Sequence, residues 1–425
     1  MRALTLWSRL RSCRLRSCRR LFLHTHPVCC LRTFHETTRG SSPITRLEAV
    51  RDPEEDAVEP AIPGVEDHRS PYERFRSKKG ALTVTDLVSN LWCEQQLEYT
   101  LIRGFKRRTP AMKAGSSVHR VLEEQVHTIV PVEVKTKEDR WGLKLFNMCQ
   151  GLWCLETEGL TRELPVFGFI DDVLVRGIID EVVYKDPAGK TEDSKTSNDE
   201  GSYKTLRRNS KAYINQQPEE YNVPQAGSRV AYISDVKSRA RRSLPTASQA
   251  KATALQLMSY HRLLDQMRAG ETDFPRLLDH YKLNGDAPLS DSLIADLCRV
   301  SEDVSVDTVL EHNSLTGMWE LMRKYLATSI DSIGGNMGIS YRDQADGKIF
   351  AYQTIPYNGE RLDAHLGSVM SWWRGQRSTV GVEIEEAWKC ASCEFADDCS
   401  WRLGKLSELK KKRQVPVYYP FARKA

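Results

Sequence analysis

Hydrophobic periodicity along the chain predicts helices first and then a pair of strands. Apolar residues recur at helical spacing in residues 82–101, 116–130 and 140–156, and the first of these helices has Thr85 or Asp86 as its cap. The period then changes to two in ELPVFGFIDDVLVRGIIDEVVYKD, residues 163–186. This alternation, rich in Val, Ile and Phe, predicts two strands joined at Asp171 and Asp172.

The second half of the chain adds one strand and several helices. VAYISDVKSRA, residues 230–240, predicts a strand, and residues 246–270 predict a long helix ended by Gly270. Residues 288–385 are mostly helical in pattern, with one hairpin near residue 350. Residues 186–228 are polar and poor in hydrophobic residues, which predicts an insertion without its own core. The order of elements predicts an α/β fold, in which helices flank a central mixed sheet.

Both ends of the chain differ in composition from its middle. Residues 1–40 hold nine arginines, no lysine and a single acidic residue, Glu36, which is typical of a mitochondrial transit peptide; a nucleic-acid-binding arm is the alternative. Residues 41–78 are rich in Glu, Asp, Pro and Arg and predict a disordered linker. We therefore expect the folded domain to cover residues 79–405, followed by a basic tail at 406–425.

Net charge and hydropathy limit the classes of binding partner that the composition predicts. Without residues 1–40, the totals of 62 basic and 57 acidic residues become 53 and 56, so the net charge falls from +5 to about −3. Bulk charge then predicts no nucleic-acid partner, and any such binding depends on local basic clusters. No apolar run approaches the roughly 18 residues of a membrane span, so we expect no membrane association.

Acidic residues inside two predicted strands suggest hydrolytic chemistry. Asp180 interrupts an apolar run, and Asp235 and Lys237 stand two residues apart in the next strand. Side chains alternate along a strand, so Asp235 and Lys237 share a face and meet Asp180 if the strands pair. Carboxylates suit Mg²⁺ or Mn²⁺, and a lysine can activate water for attack on a phosphodiester. Taken alone, a D-x-K pattern is more typical of a structural salt bridge or a solvated strand face.

Two predicted helices carry further polar residues that can join this site. His119 and Glu123 stand at i and i+4 on the helix before the strands, where they can provide a metal ligand and its neighbour. Gln256 and Tyr260 repeat that spacing on the helix after the D-x-K strand. They can hold a DNA backbone or catalytic groups, and packing of the helix face is the alternative.

The ordered set of motifs resembles the RecB-type branch of the PD-(D/E)xK nuclease superfamily. These motifs are G-x3-H-x3-E from Gly115, G-x2-D-E from Gly177, D-x-K from Asp235 and Q-x3-Y from Gln256. The resemblance implies that His119, Asp180 and Asp235 bind the divalent metal and that Lys237 assists hydrolysis. It also matches Glu163 to an acidic position before the first core strand. This chain has Asp instead of Glu at 235, a change that the superfamily tolerates.

Cysteines near the end of the chain form an incomplete ligand set. Cys390, Cys393 and Cys399 are spaced C-x2-C-x5-C, whereas zinc and iron-sulfur sites usually take four protein ligands. RecB-type nucleases with a cluster place one cysteine before the nuclease core, and this resemblance implies a 4Fe-4S cluster completed by Cys93. The cluster would then staple the N- and C-terminal helices together. Zinc remains an alternative metal, and Cys149, Cys154 and Cys298 remain alternative ligands.

Together the motifs resemble the exonuclease V family. The resemblance implies a Mg²⁺-dependent exonuclease on single-stranded DNA, with 5′ to 3′ polarity and short oligonucleotide products, acting as a monomer in the mitochondrial matrix in DNA replication, recombination or repair. A mitochondrial single-strand-binding protein is a candidate partner. Basic stretches at residues 103–113, 237–242 and 405–414 can follow the phosphates of the strand. The alternatives are a non-catalytic DNA-binding or assembly protein and a metal-dependent endonuclease or RNase.

Overall fold

A computed structural model describes residues 44–49, 69–77, 79–104, 109–124, 127–189, 223–300 and 304–414. Its strands are β1 (Ile44–Ala49), β2 (Leu82–Thr83), β3 (His127–Val132), β4 (Leu160–Ile170), β5 (Val173–Val183), β6 (Val230–Arg239), β7 (Ser332–Ile333), β8 (Asn336–Asp343) and β9 (Ile349–Pro356). Its helices are α1 (Pro71–Arg76), α2 (Val84–Ser89), α3 (Glu94–Arg103), α4 (Pro110–Glu124), α5 (Lys137–Glu158), α6 (Ala247–Ala269), α7 (Phe274–Tyr281), α8 (Asp291–Val300), α9 (Val306–Glu311), α10 (Leu315–Ser329), α11 (Gly359–Trp373) and α12 (Ser400–Gln414), and Ile384–Ser392 form a 3₁₀ helix.

The central sheet is mixed, as the pattern of elements predicts. In the described part of the chain its order is β2-β5-β6-β8-β9, with β4 added along β5 and β7 added to β6. The pairs β4–β5, β5–β6 and β8–β9 are antiparallel, while β6–β8 is parallel. A separate two-stranded parallel sheet joins β1 to β3.

Helices cover the sheet and bury most of its apolar side chains. Helix α5 begins at a capping box formed by Thr136 and Asp139, and α6 begins at one formed by Thr246 and Gln249. Both helices end at a left-handed glycine, Gly159 and Gly270, as predicted for the second one. Their buried faces join the strands and α10 in one core. The hydrophobic effect therefore fixes the sheet that carries the acidic residues.

Several boundaries differ from the sequence-based expectation. The helix expected over residues 82–101 is two helices, α2 and α3, separated at residues 90–93, and its cap is Thr83 in a capping box with Asp86. The second predicted helix ends at Glu124, because the β-branched residues after it form β3. Strand β1 and helix α1 both lie inside the range expected to be a linker.

The C-terminal boundary also moves. Helix α12 continues through residue 405 to Gln414, so the first part of the expected basic tail is helical. The expected transit peptide, most of the polar insertion (190–222) and residues 415–425 lie outside the described residues. Among the helices that are described, none combines the length and apolar character that a bilayer crossing requires.

Candidate active site

The two predicted acidic strands are neighbours, and their acidic residues meet where the strands separate. Strands β5 and β6 pair through Glu181–Val183, and Asp180 is the first residue beyond that ladder. The Asp180 carboxylate turns toward β6 and accepts a hydrogen bond of 2.8 Å from the backbone N–H of Val236. Asp235, beside Val236, is 1% exposed. The pairing predicted from the pattern is therefore confirmed, and it places two carboxylates side by side.

Lys237 lies against Asp235 in the same place. Its Nζ atom is 2.9 Å from Asp235 Oδ1 and 2.8 Å from Oδ2. Burial alone lowers the pKa of Lys237, but the negative charges of Asp235 and Asp180 outweigh it, and the pKa is raised. The lysine is thus held in its charged form at the edge of the acidic pair.

His119 and Glu163 complete a group of ligand atoms around Asp180. His119 Nδ1, from α4, is 3.7 Å from Glu163 Oε1 and 3.7 Å from Asp180 Oδ2. Glu163 stands directly across the β4–β5 ladder from Asp180, since Arg162 pairs with Glu181 and Leu164 with Ile179. One ligand atom from each of the three residues lies within 4.8 Å of the others.

Negative charge dominates the electrostatics of this group. Burial, followed by the charge of Asp235, raises the pKa of Asp180 to about 7. The contact with Glu163 raises the pKa of His119, and burial opposes that effect only in part. Carboxylates this close together repel one another, so added positive charge stabilises the arrangement.

The donor set fits a hard divalent cation. Carboxylate oxygens with one imidazole nitrogen suit Mg²⁺ or Mn²⁺. Both Asp235 oxygens already lie within 2.9 Å of the Lys237 ammonium, so the positive charge beside Asp235 comes from that lysine. His119, Asp180 and Glu163 would be the ligands, with Asp235 beside them and engaged by Lys237. The family resemblance implied Asp235 as a ligand and matched Glu163 to an acidic position before the first core strand; the compact group consists of His119, Glu163 and Asp180.

Glu163 has a constrained backbone that the sequence did not reveal. Its φ angle is 52°, in the left-handed region that residues with side chains rarely adopt. Arg46 of β1 donates a hydrogen bond of 3.2 Å from Nη1 to the Glu163 carbonyl oxygen. The same Nη1 is 3.0 Å from Glu123 Oε1. Glu123 therefore pairs with Arg46 and is not the partner of His119, and no sequence signal pointed to Arg46.

Gln256 and Tyr260 continue the polar network from Lys237. Lys237 Nζ is 3.4 Å from Gln256 Oε1, and Gln256 Nε2 donates to the Tyr260 hydroxyl at 3.2 Å. Burial raises the pKa of Tyr260, which keeps the hydroxyl protonated. Both residues face the site from α6, as predicted.

Two glycines of the predicted motifs allow these close approaches. A Cβ atom at Gly177 would lie 2.4 Å from Tyr260 Cε1, so only glycine leaves room for the tyrosine ring. At Gly115 of α4, a Cβ atom would lie 3.2 Å from Ser238 Oγ of β6. The glycines therefore set the distances of α6 and α4 from the strands that carry the acidic residues.

The four cysteines predicted as a ligand set line one pocket. Cys93 precedes α3, and Cys399 precedes α12. Cys390 lies in the last turn of the 3₁₀ helix, and Cys393 follows its end. Burial raises the pKa of Cys93, and the nearby Cys393 and Cys399 raise it further. All four are free thiols, and their sulfur donor set fits an iron-sulfur cluster or zinc. The competitors lie elsewhere: Cys149 and Cys154 are buried in α5, and Cys298 is in α8.

Direct contacts between side chains already join the segment around Cys93 to residues 377–389 beside this pocket. Glu94 is 5% exposed and accepts two hydrogen bonds of 2.7 Å from Arg377. The Lys389 ammonium lies 2.9 Å from Ser248 Oγ and 3.4 Å from the Leu91 carbonyl oxygen. The segment with three cysteines is thus tied to α6 and to the turn before Cys93.

These features define a mixed α/β protein whose sheet carries a carboxylate and histidine site fitted for a divalent cation. The family model described as "Exonuclease V - a 5′ deoxyribonuclease" matches residues 70–402. The chain is also similar to "Exonuclease V" of Danio rerio, with 28% identity over 348 residues, 80% of this chain and 74% of that protein. Two proteins named "Exonuclease V, mitochondrial", from Candida albicans strains WO-1 and SC5314, are each 25% identical over 85 residues. That match covers 20% of this chain and 14% and 13% of theirs.

The family model matches most of the chain, so the protein belongs to the exonuclease V family. It is a nuclease, and hence a hydrolase that acts on DNA. Family membership agrees with the enzymatic interpretation of the sequence and not with the non-catalytic one.

Proposed function

We propose that this protein is a single-strand-specific DNA exonuclease that degrades from the 5′ end in a Mg²⁺-dependent reaction and releases short oligonucleotides. The observation that carries the proposal is the group of His119, Glu163 and Asp180, with ligand atoms within 4.8 Å of one another. The words "5′ deoxyribonuclease" in the description of the family support the polarity.

The residues of the site divide the chemistry between them. His119, Glu163 and Asp180 would hold the cation, which would supply Lewis-acid activation of water and stabilisation of negative charge on the phosphate. Lys237, kept protonated by Asp235, orients the attacking water or stabilises the phosphate oxygens. Gln256 holds the lysine on its other side, and Tyr260 fixes the amide of Gln256.

The test follows degradation of single strands labelled at the 5′ or the 3′ end, with each end blocked in turn, using the anaerobically purified full chain and Mg²⁺. Short products from the 5′ label that disappear when that end is blocked support the proposal. Internal cuts in strands blocked at both ends would instead establish an endonuclease, and equal cleavage of RNA would establish an RNase. Asp180→Asn should abolish cleavage. Asp172→Asn, at the exposed turn of the same hairpin, is the matched control and should be active.

We further propose a 4Fe-4S cluster held by Cys93, Cys390, Cys393 and Cys399. Their common pocket supports it, together with the aromatic side chains of Trp92 and Trp401 that shield the sulfurs. Cys93→Ser should lower the iron content and the visible absorbance, whereas Cys298→Ser should leave both unchanged. Iron content equal to that of the unmodified protein would show that Cys93 is not a ligand, and stoichiometric zinc would replace the cluster with a zinc site.

A mitochondrial location is the last part of the proposal. The arginine-rich, acid-poor composition of residues 1–40 supports it, and so do the names of the two fungal relatives. A full-length fluorescent fusion should enter mitochondria, and a fusion without residues 1–40 should not.

A further inference from the structure

One face of β5 stays open to solvent beside the proposed metal site. Arg176, Ile178 and Asp180 point to the same face because side chains alternate along a strand. Arg176 and Ile178 are exposed, while Val175 and Ile179 on the other face are buried. At about 3.3 Å per residue, Arg176 lies about 13 Å from Asp180. An extended single strand covers that distance in a few nucleotides.

Lys144 of α5 adds a second positive charge at Arg176. Its ammonium is 3.9 Å from the centroid of the Trp141 ring, which fixes the side chain by a cation–π contact. Burial, followed by the charges of Arg176 and Arg140, lowers the pKa of Lys144 to about 8. The Trp141 ring also packs edge-on against Phe167, with 5.6 Å between the ring centroids, and Phe167 is paired with Arg176 across the β4–β5 ladder. Lys144 therefore lies near Arg176 on the same face of the sheet.

No carboxylate balances this pair within the described ranges of the chain. Other arginines near the sheet are paired there, as Arg162 is with Glu181 at 2.7 Å and Arg242 with Asp343 at 2.6 Å. Arg176 and Lys144 have no such ion pair among the described residues. Two like charges held together in this way are stabilised by an anion between them.

We propose that Arg176 and Lys144 bind a backbone phosphate of the DNA strand whose scissile phosphate lies at Asp180. The exposed side chain of Ile178, 45% accessible, lies between the two positions and offers an apolar surface to a base. This inference rests on the proposed function, because it assumes cleavage at the Asp180 site. The inference extends the proposed function by specifying that the DNA strand runs along β5.

The first test measures binding of a single-stranded oligonucleotide to the full-length protein in EDTA across a range of salt concentrations. Arg176→Gln and Lys144→Gln should each weaken binding roughly tenfold. Each should also make the slope of log K against log salt shallower by about 0.7. The kcat at saturating DNA should stay unchanged, since neither side chain touches the reacting atoms. Lys324→Gln, which removes an exposed lysine of α10, is the control and should bind as the unmodified protein does.

A second measurement locates the phosphate. A neutral methylphosphonate replaces one phosphate of the oligonucleotide at a time, and binding is measured for each position. At one position, the neutral linkage should weaken binding by the unmodified protein but should not weaken binding by Arg176→Gln any further. The variant already lacks the contact with that phosphate. Unchanged affinity and salt slope in both variants, or additive losses at every position, would overturn the inference. If the unmodified protein neither binds nor cleaves single strands, the proposed function fails instead.

Discussion

Replacing Lys237 with methionine removes the ammonium group but keeps a side chain of similar length. In the structure that ammonium is within 2.9 Å of both oxygens of Asp235, whose side chain is 2% exposed. Removal of one partner from a buried ion pair commonly costs about 3–5 kcal/mol. Because Lys237 is 33% exposed, solvent screens part of the interaction, and we expect the free energy of unfolding to fall by about 2 kcal/mol.

The shifted pKa of Lys237 predicts how this difference in stability changes with pH. The folded-state pKa of Lys237 is raised above its unfolded value, which is about 10.4. Its stabilisation is therefore fully present below that pH and is lost as the pH rises through the folded-state pKa. The difference in stability between the two proteins should be constant near neutral pH and should shrink under strongly alkaline conditions.

Two assays separate stability from chemistry. Urea unfolding in EDTA measures the stability difference, and single-turnover cleavage in Mg²⁺ should show a rate about 10²–10³-fold lower for Lys237→Met. Lys324→Met, at an exposed position of α10, is the control and should change neither quantity. Unchanged stability would refute the electrostatic reasoning. Full cleavage activity in a destabilised Lys237→Met protein would show that the lysine is structural and has no part in hydrolysis.

Two further predictions concern the fold. Glu94→Ala removes the acceptor of two hydrogen bonds from Arg377 and should lower the free energy of unfolding by about 3 kcal/mol. Urea unfolding should show a loss below about 0.5 kcal/mol for the exposed control Glu124→Ala. Equal losses in the two variants would contradict a role of Glu94 in joining the two segments. Burial lowers the pKa of His261, His280 and His365, so the unfolded chain takes up protons at these histidines first, and the stability that they contribute is lost as the pH drops below about 6.5. His119 and Asp180, whose pKa values are raised, contribute in the opposite sense. The Asp180→Asn protein lacks the contribution of that carboxyl, so its thermal midpoint should fall more steeply on acidification than that of the unmodified protein; an equal or shallower fall would contradict this reasoning.

Much of the candidate site could be predicted because its residues stand in regular elements. A strand places every second residue on one face, so D-x-K and the acid in RGIIDE were enough to predict that Asp235, Lys237 and Asp180 meet. Helical spacing likewise placed Gln256 and Tyr260 together. The contact between Arg46 and Glu163 could not be predicted, because it spans 117 residues and depends on a strand in a stretch whose composition resembles a linker.

The predicted helix boundaries were wrong where tertiary contacts overrode the local hydrophobic pattern. Residues 82–101 carry helical periodicity throughout, but the chain leaves the helix at residues 90–93, and this break places Cys93 in the pocket with the other cysteines. Hydrophobic periodicity indicates which residues are buried, whereas tertiary contacts decide where a helix ends. The polar insertion and the proposed presequence were identified by composition alone and stay predictions.

The sequence by itself determined the class of the sheet and the strands that carry the acidic residues, because these follow from periodicity. The cysteine set came from the resemblance to a known family and stays a prediction. Tertiary structure decided which carboxylates form a compact group with His119, why glycine stands at 177, and which described basic residues lie close to β5. Those features depend on distances between side chains that are far apart in sequence. Such distances result from packing of the whole core and not from any local pattern.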